Sequence, residues 1–509
     1  MTQPAVVVER ATFIYPACTT PALDDVSLTL DRGSFTLVAG ATGSGKSTLM
    51  KLLAGWIPRY ASGKFVGTVS ILGETTSGEL QSSPSLRAGL VLQSPDDQIC
   101  TTSVEAEVAF GLENLALPPD EIGRRIEDAL RFCGLAGFNA RHPQQLSGGQ
   151  KQRLVIAAIL AMQPEVIVLD EPLSQLDPRG SEELIALLAK LKERGTTLVV
   201  AEHRLTELSN LADQLLLIDR GKVAIISSLN NTASFSPEPA ATADLRPFSH
   251  SPLSPPTILA TIDNLALHYR RAPRPVWENI SFSIHPGDRI AIVGNNGAGK
   301  STLLQVLAGV MKPTSGAITH DQHDNTFWGL VFQNPDSLLF ATSAADEIGF
   351  ALRNRSLSVT QRNRYISAFA DRFALADLLE RSSLALSQGQ RLRLAVAAVC
   401  SANPRVLLLD EPTTGQDPQQ VVQLMQTLSL AVAKNASKHV SSNALDTPLG
   451  RLQAMIFSTH DLHVVERFAT RVLVLADGRL AADATIAQFR EDTALRALAG
   501  WSTSTEVPR

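Results

Sequence analysis

The sequence predicts an α/β fold made twice over. Three observations carry this: two glycine-rich phosphate loops, each between an apolar strand-like run and a helical run; further motifs recurring in both halves at fixed separations; and a proline-rich stretch between the halves. At 509 residues the chain is too long for one hydrophobic core, and ~100–200 residues per domain allows two to four domains. Hydrophobic content of 44% with 19% charged residues is ordinary for a globular protein. A net charge of -5 disfavours bulk attraction to nucleic acid.

The first residues, MTQPAVVVER, lack the basic and apolar regions of a secretory signal. The longest apolar stretches, such as LVIAAILAM from Leu154, fall short of the ~18–20 residues that span a bilayer. The expected location is therefore cytosolic unless a partner holds the chain at a membrane. Cys18, Cys100, Cys133 and Cys400 are scattered, which predicts buried thiols in a reducing compartment rather than a zinc or iron-sulfur site.

The repeat is read from offsets. Lys46 and Lys300 are 254 residues apart, as are Tyr15 and Tyr269. Gln93 and Gln333, Ser147 and Ser387, Glu171 and Glu411, and Asp177 and Asp417 are each separated by 240. His203 and His460 differ by 257, because the second half carries a polar insertion, AKNASKHVSSNALDTPLG, before its last strand. Residues 227–257 hold six prolines and only three charged residues, a composition that reads as a linker. The predicted organisation is a first domain over 1–226, the linker over 227–257, a second domain over 258–490 and a tail over 491–509.

In chain order, FTLVAG from Phe35 and RIAIVG from Arg289 read as strands entering the phosphate loops, and TLMKLLAG and TLLQVLAG as the helices that leave them. The predicted ATP cradle is Gly40, Ala41, Thr42, Gly43, Ser44, Gly45, Lys46, Ser47 and Thr48 in the first half. In the second it is Gly294, Asn295, Asn296, Gly297, Ala298, Gly299, Lys300, Ser301 and Thr302. The glycines let backbone N–H groups wrap phosphate at a helix N-terminus, where the dipole favours an anion. Lys46 and Lys300 should reach the β- and γ-phosphates, and Ser47 and Ser301 should ligate Mg²⁺. The apolar runs VIVLD and VLLLD deliver Asp170 and Asp410 to strand ends, where a carboxylate can hold the Mg²⁺ shell. Glu171 and Glu411, one residue on, are placed to polarise the attacking water. His203 and His460 follow the runs TLVVAE and QAMIFST, where an imidazole can contact the γ-phosphate.

LSGGQKQR from Leu146 and LSQGQRLR from Leu386 separate this chain from generic phosphate-loop proteins. Together with Gln93/Gln333, the LDEP pair, LSQLD/TTGQD and His203/His460, they resemble the motif set of ABC ATPases over nearly the whole chain outside the linker. The resemblance implies two ABC-type nucleotide-binding domains, each a RecA-like core with an antiparallel β subdomain and an α-helical signature subdomain. It implies ATP stacking on Tyr15 and Tyr269, and a place for Gln93 and Gln333 in the Mg²⁺ shell. It also implies that Ser147, Gly148, Gly149 and Gln150 serve the second phosphate loop, while Ser387, Gln388, Gly389 and Gln390 serve the first. Gln388 replaces the usual glycine of the signature.

The segments QSPDDQICTTSVEAEVAFGLENLALP and QNPDSLLFATSAADEIGFALRN resemble the corresponding segment of energy-coupling factor transporter ATPases, as does HPQQLSGGQKQRLVIAAILAMQPEVIVLDEP. That resemblance implies import of a vitamin or transition-metal ion, peripheral attachment to the cytoplasmic face of the membrane, and two partners: a transmembrane coupling protein and a small membrane substrate-binding protein. The alternatives are a ribosome-associated tandem ABC translation factor or the ATPase of another transporter class. The short, nearly uncharged linker disfavours the ribosomal reading.

Overall fold

The structure, a computed structural model, describes residues 4–16, 18–41, 43–75, 87–174, 176–202, 205–226, 257–269, 274–321, 324, 326–354, 357–413, 418–436 and 448–501. Most of the predicted linker, most of the polar insertion before the last strand, and Thr42, His203 and Asp417 lie outside the described residues. The chain divides into two units, Met1–Glu238 and Pro239–Arg509.

The first unit runs β1 (Val6–Ile14), β2 (Leu23–Leu30), β3 (Phe35–Ala39), α1 (Lys46–Leu53), β4 (Lys64–Ile71), β5 (Glu74–Thr75) and β6 (Ala88–Val91). It continues through α2 (Val104–Asn114), α3 (Pro119–Phe132), α4 (Gly148–Ala161), β7 (Val166–Asp170), α5 (Pro178–Glu193), β8 (Thr197–Ala201), α6 (Leu205–Leu208), β9 (Gln214–Asp219) and β10 (Lys222–Ile226). The second repeats the plan with β11 (Ala260–Leu267), β12 (Trp277–Ile284), β13 (Arg289–Val293), α7 (Lys300–Leu307), β14 (Ser315–His320), β15 (Trp328–Val331), α8 (Ala344–Phe350) and α9 (Val359–Arg372). It closes with α10 (Gln388–Ser401), β16 (Val406–Leu409), α11 (Pro418–Asn435), β17 (Ala454–Ser458), α12 (Leu462–Phe468), β18 (Arg471–Ala476), β19 (Arg479–Thr485), α13 (Ile486–Glu491) and α14 (Thr493–Leu498).

Among the described residues each unit has two sheets. An antiparallel sheet ordered β2-β1-β4-β5, or β12-β11-β14, faces a mainly parallel sheet ordered β10-β9-β3-β8-β7-β6, or β15-β16-β17-β13-β18-β19. The inner parallel strands are continuous apolar runs because both their faces are covered. Their alternate residues feed two cores. Val38, Val168 and Val199 join the antiparallel sheet and α1, whereas Leu37, Ile167 and Val200 join the helical side. In the second unit Ile292, Leu408 and Ile456 divide from Val293, Leu409 and Phe457 in the same way.

The antiparallel strands alternate until a bulge. The pairing of β1 with β2 shifts between Val8 and Ala11 around Arg10 at φ 51, and that of β11 with β12 between Ile262 and Leu265 around Asn264 at φ 47. Beyond β19 the packed structure runs on, since α13, α14 and Trp501 lie against the second unit's helical core. The segment predicted as a tail from residue 491 thus contributes Ala499 and Trp501 to that core.

Candidate nucleotide-binding sites

Both phosphate loops leave a strand flanked on either side by parallel neighbours: β3 by β8 and β9, β13 by β17 and β18. Such a loop opens into the crevice at the carboxyl ends of the strands. The loop's last glycine must be glycine twice over. Gly45 has φ 108 and a Cβ there would lie 2.4 Å from the Ala22 carbonyl oxygen; Gly299 has φ 87 and its Cβ would meet the Trp277 ring at 2.6 Å. α1 and α7 follow with no side-chain cap, so their first-turn N–H groups face the loop. Lys46 is buried and its Nζ donates to the carbonyls of Gly40 at 2.7 Å and Ala41 at 3.2 Å. Lys300 does the same to Gly294 at 2.8 Å and Asn295 at 3.3 Å.

The four carboxylates are brought to these lysines. Asp170 ends β7 and Asp410 follows β16, both buried. Burial pushes the Asp170 carboxyl up to about 6, against the pull of the Ser47 hydroxyl. Burial likewise raises Asp410, opposed by hydroxyl donors from Ser458 at 2.7 Å and Ser301 at 2.9 Å. Glu171 and Glu411 both sit in the left-handed region at φ 48, a costly conformation for glutamate that concentrates at functional sites. Gln93 Nε2 donates to Glu171 Oε2 at 2.7 Å, and Lys46 Nζ lies 4.0 Å from its Oε1. In the second unit His460 Nε2 is 3.1 Å from Glu411 Oε1 and 3.2 Å from Lys300 Nζ. Gln333 is exposed, so the two glutamines are placed differently.

The remaining predicted residues fall at element ends. Tyr15 and Thr48 share a hydroxyl contact of 3.3 Å, and Tyr15 meets Phe13 edge to face at 4.8 Å. Tyr269 is 45% exposed, its hydroxyl 3.8 Å from Met311 Sδ. Ser147 caps α4 and Ser387 caps α10, each in a reciprocal capping box with Gln150 or Gln390. Gln388 leaves that geometry intact, with ψ 162 at both serines. A charge pair ties the segment after each early glutamine to the signature helix: Lys151 to Asp96 at 2.6 Å and Arg391 to Asp336 at 3.0 Å.

Three residues escaped the sequence reading. Ser458 accepts from the Glu411 N–H at 2.9 Å, where the first unit uses the Ala201 carbonyl at 2.9 Å. Buried Glu202 accepts from the Leu173 N–H at 2.7 Å. Trp501 donates its indole N–H to the His460 carbonyl at 3.2 Å. A lone hydroxyl in the apolar run AMIFS was the available signal for Ser458; nothing in the local pattern marked Trp501.

Among the described residues no helix is long and apolar enough to cross a membrane, and no group of three or more His, Cys, Asp or Glu is arranged to hold a metal ion. The ABC transporter family profile matches residues 23–174 and 277–414, enclosing both phosphate loops, both signatures and all four carboxylates. The chain belongs to the ABC transporter family. It is an ABC-type ATPase with two nucleotide-binding domains. A putative ABC transporter ATP-binding protein of Methanosarcina mazei is 34% identical, over 92% of this chain and 87% of that protein. A putative HMP/thiamine import ATP-binding protein, YkoD, of Bacillus subtilis is 33% identical over 96% of this chain and 93% of its own. A chain from a structure of ribosome-bound archaeal Pelota and ABCE1 shares the fold, with TM-score 0.66, 19% identity, and coverage of 96% of this ABC protein and 80% of that chain.

Proposed function

We propose that this ABC ATPase is the energy-coupling subunit, attached at the cytoplasmic face of the membrane, of an importer of the energy-coupling factor type that takes up a vitamin or a transition-metal ion. The observation that carries the reading is the Bacillus subtilis import relative, similar along nearly all of both chains. The two complete carboxylate sets support it, because both units keep the groups that hydrolysis requires.

In this reading the units share two ATP molecules. Lys46 and Lys300 turn from the loop carbonyls to the β- and γ-phosphates, and the α1 and α7 N-termini receive the remaining charge. Ser147 and Gly149 present hydroxyl and N–H groups to ATP on the second loop, and Ser387 and Gly389 to ATP on the first. Glu171 and Glu411 accept the proton of the attacking water, and His460 holds its imidazole at the γ-phosphate. The donors also suit Mg²⁺. Asp170 Oδ1 is buried with no hydrogen-bond partner, Ser301 and Asp410 are already adjacent, and the set is entirely oxygen, as a hard cation requires. Ser47, Asp170 and Gln93 would hold it in the first site and Ser301, Asp410 and Gln333 in the second, where it would supply positive charge against the charge that develops on phosphoryl transfer.

The membrane partners are a polytopic coupling protein and a small substrate-binding protein, docked beside the segments after Gln93 and Gln333. Exposed Phe110, Phe340 and Phe350 lie on these segments, with the two second-unit rings edge to face at 4.8 Å. The test is extraction of the tagged chain from its own cells in mild detergent, with ribosome sedimentation in parallel. Co-purification of one polytopic and one small membrane protein is expected; recovery with ribosomes instead would move the function to translation, and a different membrane partner to another transporter class.

A further inference from the structure

The segment after β19 lies across the second nucleotide site. α13 and α14 return the chain to the core, where Phe489 and Trp501 meet edge to face with centroids 5.9 Å apart. Trp501 is only 8% exposed, and a buried indole N–H requires an acceptor. It takes the backbone carbonyl of His460 at 3.2 Å. Gly500, at φ 94, lies so close to the phosphate loop that a Cβ there would sit 2.5 Å from Asn295 Oδ1. One short segment therefore touches two of the loops that carry the reacting cluster, the phosphate loop and the one that holds His460. Within that cluster His460 Nε2 is 3.2 Å from Lys300 Nζ and 3.1 Å from Glu411 Oε1.

We propose that Trp501 is a positioning residue of the second ATP site, holding the His460 carbonyl so that the imidazole stays aimed between Lys300 and Glu411. The inference rests on the hydrolytic reading of that site. It also makes the two sites unequal. The chain's four tryptophans are Trp56, Trp277, Trp328 and Trp501, so none follows the first unit's last strand before the second unit begins. His460 is anchored on both sides. Its side chain faces the lysine and the glutamate, while its carbonyl is fixed by a donor brought from 41 residues downstream. Such a bond fixes the backbone without touching nucleotide, so its loss should lower turnover rather than ATP affinity.

The experiment compares Trp501→Phe, which keeps a ring for Phe489 but has no donor, with the parent chain and repeats the comparison in a His460→Gln background. Turnover, KM for ATP and melting temperature are measured on the full chain. The expected result is a kcat lowered about twofold to fivefold, the scale of one lost hydrogen bond. KM should stay within about twofold, and no further loss should appear when His460 is already Gln. Parent-level kcat, or an equal fold-loss in both backgrounds, overturns the proposal. If Trp501→Phe lowers the melting temperature, Trp501→His, which restores a ring N–H, decides: recovered kcat supports the role and unrecovered kcat overturns it. Parent-level turnover in Glu411→Gln and in the Glu171→Gln, Glu411→Gln double variant would instead overturn the hydrolytic reading of that site, so the two failures are distinct.

Discussion

Glu171 and Glu411 occupy a backbone conformation in which glutamate is uncommon, and they do so in both units with the same φ of 48. Glu171→Gln or Glu411→Gln keeps the side chain's shape and removes the base, so turnover should fall on the order of 10²–10⁴ while ATP binding persists. Phosphate release and equilibrium nucleotide binding check this; parent-rate hydrolysis by both single variants and the double variant would remove the assigned role. Asp170 carries a cost that runs the other way. Its folded pKa of about 6 lies above the ordinary aspartate value of 3.8, so the folded state binds the proton more tightly, and stability is lost as pH rises from near 4 through about 6. Asp170→Asn should therefore raise the melting temperature of the nucleotide-free chain at pH 7.5, a difference that shrinks towards zero below about pH 4, while abolishing Mg²⁺-dependent turnover. Calorimetry at both pH values checks it, and a parent that melts higher at pH 7.5 would contradict it. The lysines, serines and carboxylates were legible because their spacing repeats. Ser458 was not, because a hydroxyl in an apolar strand can bond within its own strand as readily as across it.

The elements that hold these residues are strands ending at the same edge, and the apolar runs FTLVAG, VIVLD and VLLLD showed them plainly. The pairing of signature helix with glutamine segment was less visible, since it depends on residues 55 positions apart, as Asp96 and Lys151 are. An exposed ion pair adds little stability, and on the proposed import reading the pair that recurs as Asp336 with Arg391 serves transmission rather than strength. Asp96→Ala and Asp336→Ala should leave the melting temperature and the basal ATPase rate of the isolated chain within about twofold. On the proposed import reading they should reduce the stimulation of that rate by reconstituted membrane partners. ATPase assays with and without the partners in vesicles check it, and undiminished stimulation in the double variant would exclude the role. Helix α14 and Trp501 were invisible for a related reason. The segment 491–501 is short, half of its apolar positions are alanines with little to bury, and the core it meets gives Ala499 and Trp501 their partners.

At the scale of the whole chain, duplication was the most legible property, because fixed offsets need no structural knowledge to detect. The repeat extends to backbone detail that no motif encodes: Arg10 with Asn264 and Asp25 with Asn279 keep the 254-residue offset as left-handed positions. The division of labour within each sheet has a further consequence, for how the protein is made. Among the described residues, the strand that feeds each phosphate loop pairs with strands that come much later: Phe35 with Leu198 and Thr36 with Gln214, Ile290 with Ile456 and Arg471. Pairings between such distant segments close slowly. A nascent chain that has not yet delivered β8 has made the lysine, the loop and the helix but has no neighbour for the strand that aims them. Each unit thus acquires its grip on phosphate among its last acts of folding, and nucleotide can stabilise only a unit whose sheet is already complete.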